Sequence, residues 1–209
     1  MTRYTWIMAA ALTMLASGAG AANYCGDLKN GYGPFDYRDA DTASMREIVT
    51  GAHFTEDVQM GIRGPTGPIG GDLDYVLRAI PNHPGALAVM GNVALSRKAT
   101  IVAGAKYPVE CYFERAMRFQ PNDGAARAAY GNYLFALGKT DQALGMFRSA
   151  VALSPEDATI NYNLGLAYLK MQDYENANHF AKKAYALGFP LPGLRNLLVA
   201  AGKWTDTPE

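Results

Sequence analysis

The sequence has no excess of either charge and contains few histidines and cysteines. Its 209 residues include 19 basic and 19 acidic side chains, 3 histidines and 2 cysteines. Without net positive charge, a nucleic-acid binder that depends on a broad basic field is excluded, and an anionic membrane surface is an unfavourable partner. Hydrophobic residues make up 49% of the chain, enough for a packed core, which excludes disorder as the main state.

Long apolar runs are also missing, except near the N-terminus. Arg3 precedes an apolar run over residues 6–16, and small residues then lead to Ala19-Gly20-Ala21. A basic start, an apolar segment and an A-x-A site are typical of a secretory signal peptide. We predict that residues 1–22 are such a peptide and that the chain is periplasmic or secreted, without stable membrane insertion after cleavage. An uncleaved membrane anchor is the alternative.

The two cysteines, Cys25 and Cys111, are too far apart in the sequence for a C-x-x-C motif. In an oxidising compartment an even number of cysteines favours a disulfide, so we predict a Cys25–Cys111 bridge, with two buried free thiols as the alternative. The three histidines do not have the spacing of metal ligands. No metal site and no cofactor are therefore predicted.

Internal repeats organise most of the chain. Three runs with helical periodicity end in an Ala-x4-Pro pattern, and proline marks the helix end because it cannot continue a helix. The three pairs are Ala79/Pro84, Ala116/Pro121 and Ala150/Pro155. From Pro121 onwards, apolar periodicity predicts four helices, over residues 125–137, 141–153, 158–171 and 173–187.

These repeats resemble the tetratricopeptide repeat family, whose 34-residue pattern reads W-x2-L-G-x2-Y, then A-x3-F, then P. Two segments, 124–157 and 158–191, carry the pattern, and 87–123 carries a weaker version with Val93-Ala94 instead of the Leu-Gly pair and three extra residues around 103–108. The positions that match in the two stronger segments are Tyr130, Gly131, Leu134, Ala143, Phe147 and Pro155, and then Asn161, Leu164, Gly165, Tyr168, Ala177 and Ala181. The resemblance implies an all-α, tetratricopeptide-type α-solenoid of antiparallel helix pairs over residues 87–191.

Both ends of such a stack need covering, because the last unit would otherwise expose an apolar face. Residues 192–203 are predicted to form a C-terminal capping helix. Residues 41–86 are predicted to form an N-terminal helical region, a degenerate first repeat with helices over 44–52, 55–62 and 72–80 and a Gly/Pro loop over 64–71. Residues 23–40 lack helical periodicity and are predicted to form an irregular strap.

The resemblance also implies a concave groove lined by the first helix of each repeat. The side chains at its groove positions are Asn92, Asn132, Phe135, Tyr162, Asn163 and Leu166. Family members that clamp a partner's terminal carboxylate use asparagines where Asn132 and Asn163 stand. Their clamp lysines are absent, since Ala128, Gly193 and Leu197 occupy those positions. A neutral, mixed groove is expected, and the alternative for Asn163 is that it only follows the repeat consensus.

No nucleophile motif such as G-x-S-x-G accompanies the histidines, so no catalytic residue is predicted. We predict a non-catalytic protein-interaction scaffold or adaptor of the bacterial cell envelope that binds a peptide or partner protein in the groove; oligomers are possible. One alternative is an envelope enzyme or a glycan or small-molecule binder with its site near His53 and the Gly-rich loop. The other is a structural component of an oligomeric assembly.

Overall fold

The computed structural model describes residues 24–65 and 67–205, and the regular structure in these ranges is all helix. The predicted signal peptide, residues 1–22, lies outside the described residues, as does residue 23 of the predicted strap. A short 3-10 helix, Ala40–Thr42, precedes the α-helices. These are α1 (Ala43–His53), α2 (Glu56–Gln59), α3 (Ile69–Ala79), α4 (Pro84–Arg97), α5 (Val109–Phe119), α6 (Gly124–Ala136), α7 (Thr140–Leu153), α8 (Ala158–Lys170), α9 (Tyr174–Ala186) and α10 (Gly193–Ala200).

The helices pack as successive antiparallel pairs, α4 with α5, α6 with α7 and α8 with α9, and α10 closes the last pair. One core cluster spans α1 to α6 and a second spans α6 to α10, with Tyr130 in contact with both. This arrangement is the predicted tetratricopeptide-type α-solenoid with its capping helix. The four helices predicted within 125–187 are confirmed, with bounds that differ by at most one residue.

The first helix of each pair starts at a polar N-cap in the same register. The side chains of His83, Asp123 and Asp157 each accept a hydrogen bond from the backbone N–H three residues later, the usual chemistry of a helix start. The caps lie 40 and then 34 residues apart. Pro84 is therefore the first residue of α4, whereas the sequence analysis placed the start of this unit at residue 87.

A glycine follows each N-cap by eight residues, at Gly91, Gly131 and Gly165, and it lets the paired helices approach closely. A Cβ on Gly131 would lie 2.6 Å from Phe147 Cε1, and one on Gly165 would lie 3.4 Å from the Ala181 nitrogen. At Gly165 the nearest atom is Leu194 Cδ2 of α10, at 2.6 Å. The missing Cβ thus leaves room for a neighbouring side chain as well as for the partner helix. Gly91 is the counterpart that the sequence analysis sought at Val93-Ala94.

The N-terminal helices also form, although two of their bounds differ from the predictions by three residues and the others by one. α2 ends at Gln59 rather than at residue 62, and α3 begins at Ile69 rather than at residue 72. α3 thus includes Gly70, whose N–H donates to the Ala103 carbonyl and where a Cβ would lie 2.8 Å from the Val102 oxygen. The Gly/Pro loop therefore ends in a helix that packs against the long loop between α4 and α5.

The strap is attached to α5 by a covalent bond and by hydrogen bonds from two guanidinium groups. Cys25 and Cys111 form the predicted disulfide, with their Cα atoms 5.0 Å apart. Arg115 is buried and donates to the carbonyls of Cys25 and Asp27 at 3.0 and 2.7 Å, while Arg118 donates to the Gly26 carbonyl at 2.6 Å. The disulfide closes a loop with a sequence separation of 86 residues. In the chain-entropy description this raises the free energy of unfolding by about 4–5 kcal/mol.

A second attachment of the strap is a buried polar network. The Asn82 amide, fully buried, donates to Asp36 at 2.7 Å and to the N-cap Asp123 at 2.8 Å, and its oxygen accepts from the Tyr37 N–H. Burial opposes ionisation of Asp36, but hydrogen bonds from Arg38 and Asn82 outweigh it and lower the pKa of this carboxyl to about 2. The network ties the strap to the starts of both α4 and α6.

Gly131→Ala should destabilise the chain, although alanine is the better helix former. The new Cβ would meet Phe147, and such overpacking costs about 1–3 kcal/mol, more than the ~1 kcal/mol gained in helix propensity. Gly145 on α7 is the matched control, since it is exposed and a Cβ there has no heavy atom within 4 Å. Gly145→Ala should stabilise by about 1 kcal/mol. Urea denaturation measures both, and a stabilised Gly131→Ala variant would contradict the close approach.

His83 should make the stability of the chain depend on pH. Burial, assisted by Arg46, lowers the pKa of His83, and its Nδ1 must be unprotonated to accept from the Ala86 N–H at 3.1 Å. The contribution of this cap to the free energy of unfolding is complete above about pH 6.5, the ordinary pKa of histidine. It is lost as the pH falls through the lowered pKa of His83 in the folded chain. His83→Asn keeps a capping side chain but does not titrate.

Urea denaturation between pH 7.5 and 5 should therefore show a smaller loss of unfolding free energy for His83→Asn than for the wild type. The comparison isolates His83, because every other side chain is the same in both proteins. Equal pH slopes would mean that the imidazole does not cap α4.

Candidate functional site: the cleft between α4 and α6

Two of the predicted groove residues, Asn92 and Asn132, line the same cleft. Each follows its N-cap by nine residues, so the two lie at equivalent positions on α4 and α6, and both are exposed. The cleft has a volume of ≈ 260 Å³. Its other lining residues are Leu87, Ala88, Gly91, Phe113, Ala129 and Tyr133. We call this cleft the α4–α6 groove.

The floor of the α4–α6 groove is aromatic. Phe113 is fully buried and stacks on Tyr133, with ring centroids 5.3 Å apart. Gly91 makes room for both rings, since a Cβ there would lie 3.2 Å from Tyr133 Cδ2 and 3.4 Å from Phe113 Cζ. The sequence analysis did not assign these three residues to the groove. Their positions relative to the N-caps are the signal that could have found two of them, since Gly91 directly precedes Asn92 and Tyr133 directly follows Asn132.

The rim of the groove is polar but uncharged. Among the described residues, none forms a hydrogen bond with the side chains of Asn92 or Asn132, and none of the groove-lining side chains is charged. Burial raises the pKa of Tyr133, and the nearby Glu110 raises it further, so this phenol stays neutral. Two amides, each able to donate and accept, above an aromatic floor suit the backbone of an extended peptide.

The remaining predicted groove residues lie farther along the solenoid, on α6 and α8. Phe135 is half-buried and packs edge-on against Phe147 at 6.5 Å between centroids, and Leu166 packs on the second core cluster. Asn163 is half-buried and has no hydrogen bond with another described residue. These side chains therefore do not line the same cleft as Asn92 and Asn132.

The chain's own C-terminal segment covers much of Tyr162. Its ring stacks on Phe189 with centroids 3.9 Å apart, and its hydroxyl accepts a hydrogen bond from the Leu194 N–H at 3.1 Å. Gly193 lies beside it, since a Cβ there would be 2.7 Å from the Tyr162 hydroxyl. Because replacing Tyr162 would disturb the capping helix, this residue is unsuitable as a probe of groove binding.

His53 has a partner that the sequence analysis did not identify. Its Nδ1 lies 2.8 Å from Oδ1 of the buried Asp72, and its ring lies 4.2 Å from that of Tyr75. The adjoining cleft of ≈ 290 Å³ is also lined by Tyr32, Ile48, Val49 and Ala52. The carboxylate orients the imidazole, but none of these lining residues is a serine, threonine or cysteine that could serve as nucleophile.

In residues 24–65 and 67–205, no group of three or more histidine, cysteine, aspartate or glutamate side chains is placed to hold a metal ion. Within the same ranges, none of the helices combines the length and apolar character needed to cross a membrane.

The repeat region of the chain is similar to known proteins. Residues 131–172 match the family model described as TPR repeat. The matched segment begins within α6 and includes α7 and α8. A stretch of 67 residues is 40% identical to the BBSome complex member BBS4 of Xenopus tropicalis, a match that covers 32% of this chain. The chain spans only 13% of the length of that relative.

Solved structures show the same fold. The structure from the functional characterization of Pseudomonas aeruginosa pilF superposes with a TM-score of 0.51 at 18% identity, over 75% of this chain and 71% of that one. A point mutant of MamA is 20% identical, with a TM-score of 0.45 over 71% of this chain and 80% of its own.

Proposed function

We propose that the chain is a non-catalytic scaffold or adaptor of the bacterial cell envelope that binds a peptide segment of a partner protein in the α4–α6 groove. The observation that carries the proposal is the pair of exposed amides, Asn92 and Asn132, which line one neutral cleft and have no hydrogen-bond partner among the described residues. The aromatic floor of Phe113 and Tyr133 adds apolar contact beneath them. Together these groups favour binding to the backbone of a peptide over binding to its charged side chains.

The envelope location rests on two further features. The N-terminal sequence has the layout of a secretory signal peptide. The Cys25–Cys111 disulfide is the kind of bond that persists in oxidising compartments. The relative BBS4 is described as a member of a complex, which agrees with a role in assembling proteins.

A carboxylate clamp is not part of the proposal. Ala128 is buried, and Gly193 and Leu197 have no charge to offer at the other two clamp positions. Recognition of a chain terminus by its charge would therefore need cations that these positions lack. An internal, uncharged peptide segment fits the α4–α6 groove better.

The oriented His53 favours one rival function, a small-molecule site at the cleft beside α1. The Asp72 contact gives the imidazole a defined orientation, as a general base requires, but the lining residues offer no nucleophile. A hydrolytic activity of the purified chain that disappears in His53→Ala would favour this rival over the scaffold.

The groove is tested with random 12-residue peptides displayed on phage and selected on the wild-type chain. Asn92→Ala/Asn132→Ala should weaken the selected peptides about tenfold or more, because it removes two sets of hydrogen bonds worth about 1 kcal/mol each. The helix content and melting temperature should stay unchanged, because both side chains are exposed.

Asn122→Ala/Asn196→Ala is the matched control, since both asparagines are exposed outside the α4–α6 groove, and it should retain wild-type affinity. The proposal fails if the library yields no binder, or if the groove variant binds the selected peptides as tightly as the control.

A further inference from the structure

A second cleft adjoins the α4–α6 groove and shares one wall with it. This cleft has a volume of ≈ 400 Å³, and Tyr133 lines both. Its other lining residues are Tyr24, Thr100, Ile101, Pro108 and Glu110. The volume lies in the range of about 300–1,000 Å³ that is common for ligand sites. The floor of the groove thus leads directly to another recess.

The outer wall of this second cleft comes from the strap. Tyr24 is 73% exposed, yet its position follows from the residues that come directly after it. Cys25 is bonded to Cys111, and the carbonyls of Cys25 and Gly26 accept hydrogen bonds from Arg115 and Arg118. An exposed aromatic ring beside a cross-linked backbone resembles the pre-ordered anchors that binding surfaces use, since less conformational freedom is lost on binding.

We propose that the binding site continues over Tyr133 into this second cleft, and that the disulfide holds Tyr24 as its outer wall. The inference rests on the proposed function. The bound peptide then lays its backbone along Asn92 and Asn132 and inserts a large apolar side chain, aromatic or aliphatic, beside Tyr24. A dithiol reductant, which is itself oxidised to a disulfide as Cys25 and Cys111 become thiols, therefore releases this wall and weakens binding.

The chemistry of the second cleft determines the kind of side chain it accepts. Tyr24, Ile101, Pro108 and Tyr133 present apolar surface, and Ile101 is 49% exposed in the free chain. The carboxylate of Glu110 is already paired with the Lys139 ammonium at 3.1 Å, so the cleft has no unbalanced charge. A large apolar side chain would cover Ile101 and Tyr24, whereas a charged one would have to compete with the Glu110–Lys139 pair.

The test uses the peptides selected on the oxidised wild-type chain, with dissociation constants measured by fluorescence anisotropy. Tyr24→Ala should weaken binding about tenfold, and Tyr24→Phe, which keeps the ring, should bind like the wild type. Reductant, or Cys25→Ser/Cys111→Ser, should weaken binding by a similar factor, and adding Tyr24→Ala to either should have little further effect. The selected peptides should share a large apolar residue, and its replacement by alanine should cost as much as Tyr24→Ala.

The outcomes separate this inference from the proposed function. If Asn92→Ala/Asn132→Ala abolishes binding while Tyr24→Ala and reduction leave affinity within twofold of the wild type, the extension is wrong and the groove remains. If the asparagine variant binds normally, the proposed function is wrong. Thermal melts show whether the reduced chain is still folded. If the reduced chain unfolds, Tyr24→Ala still tests the wall, because an exposed side chain can be removed without loss of the core.

Discussion

Close packing against a single glycine organises each repeat of this chain. At Gly131 the face of α6 lies against the ring of Phe147 on α7, and at Gly165 the face of α8 lies against Leu194 of α10 and the backbone of α9. Successive residues of an α-helix are rotated by about 100°, so the residue after each glycine points away from the partner helix. On α4 and α6 that residue is an asparagine. The packing of each pair and the polar rim of the groove therefore follow from one register.

The N-terminal half has additional attachments. Its helices α1, α2, α3 and α5 are shorter than α6 to α9, and the loop between α4 and α5 is long. The strap supplies these attachments through the Cys25–Cys111 bond, the buried Arg115 and the Asn82 network. Nη1 of Arg115 donates to two strap carbonyls and the Asn82 amide donates to two carboxylates, and these hydrogen bonds offset the desolvation cost of burying the polar groups. The same contacts that stabilise the N-terminal half also hold Tyr24 beside the groove, so stability and the proposed recognition depend on the same contacts.

Sequence patterns predicted the repeat helices well because their signals are local, whereas contacts between distant segments had no such signal. The helix over 158–171 needed only apolar periodicity and Pro155. The register of α4 was harder, because Pro84 occupies the first helical turn here, while Pro155 precedes the N-cap, and a proline is compatible with both positions. Tyr162 matches a groove position, but its ring packs under Phe189, which only the path of the chain after α9 brings there. The groove floor likewise depends on Phe113, from the second helix of the preceding pair.

The central claim is that a partner polypeptide occupies the cleft between α4 and α6. Site-specific photo-crosslinking tests it most directly, with a benzoyl-phenylalanine placed at Ala88, an exposed groove residue, or at Leu153, an exposed residue of α7 outside it. The chain would be expressed with its complete N-terminus in a Gram-negative host and irradiated in intact cells. The account predicts a discrete adduct at position 88 that a selected peptide competes away, and none at position 153. Equal crosslinking at both positions, or an adduct at 88 that the peptide does not displace, would contradict it.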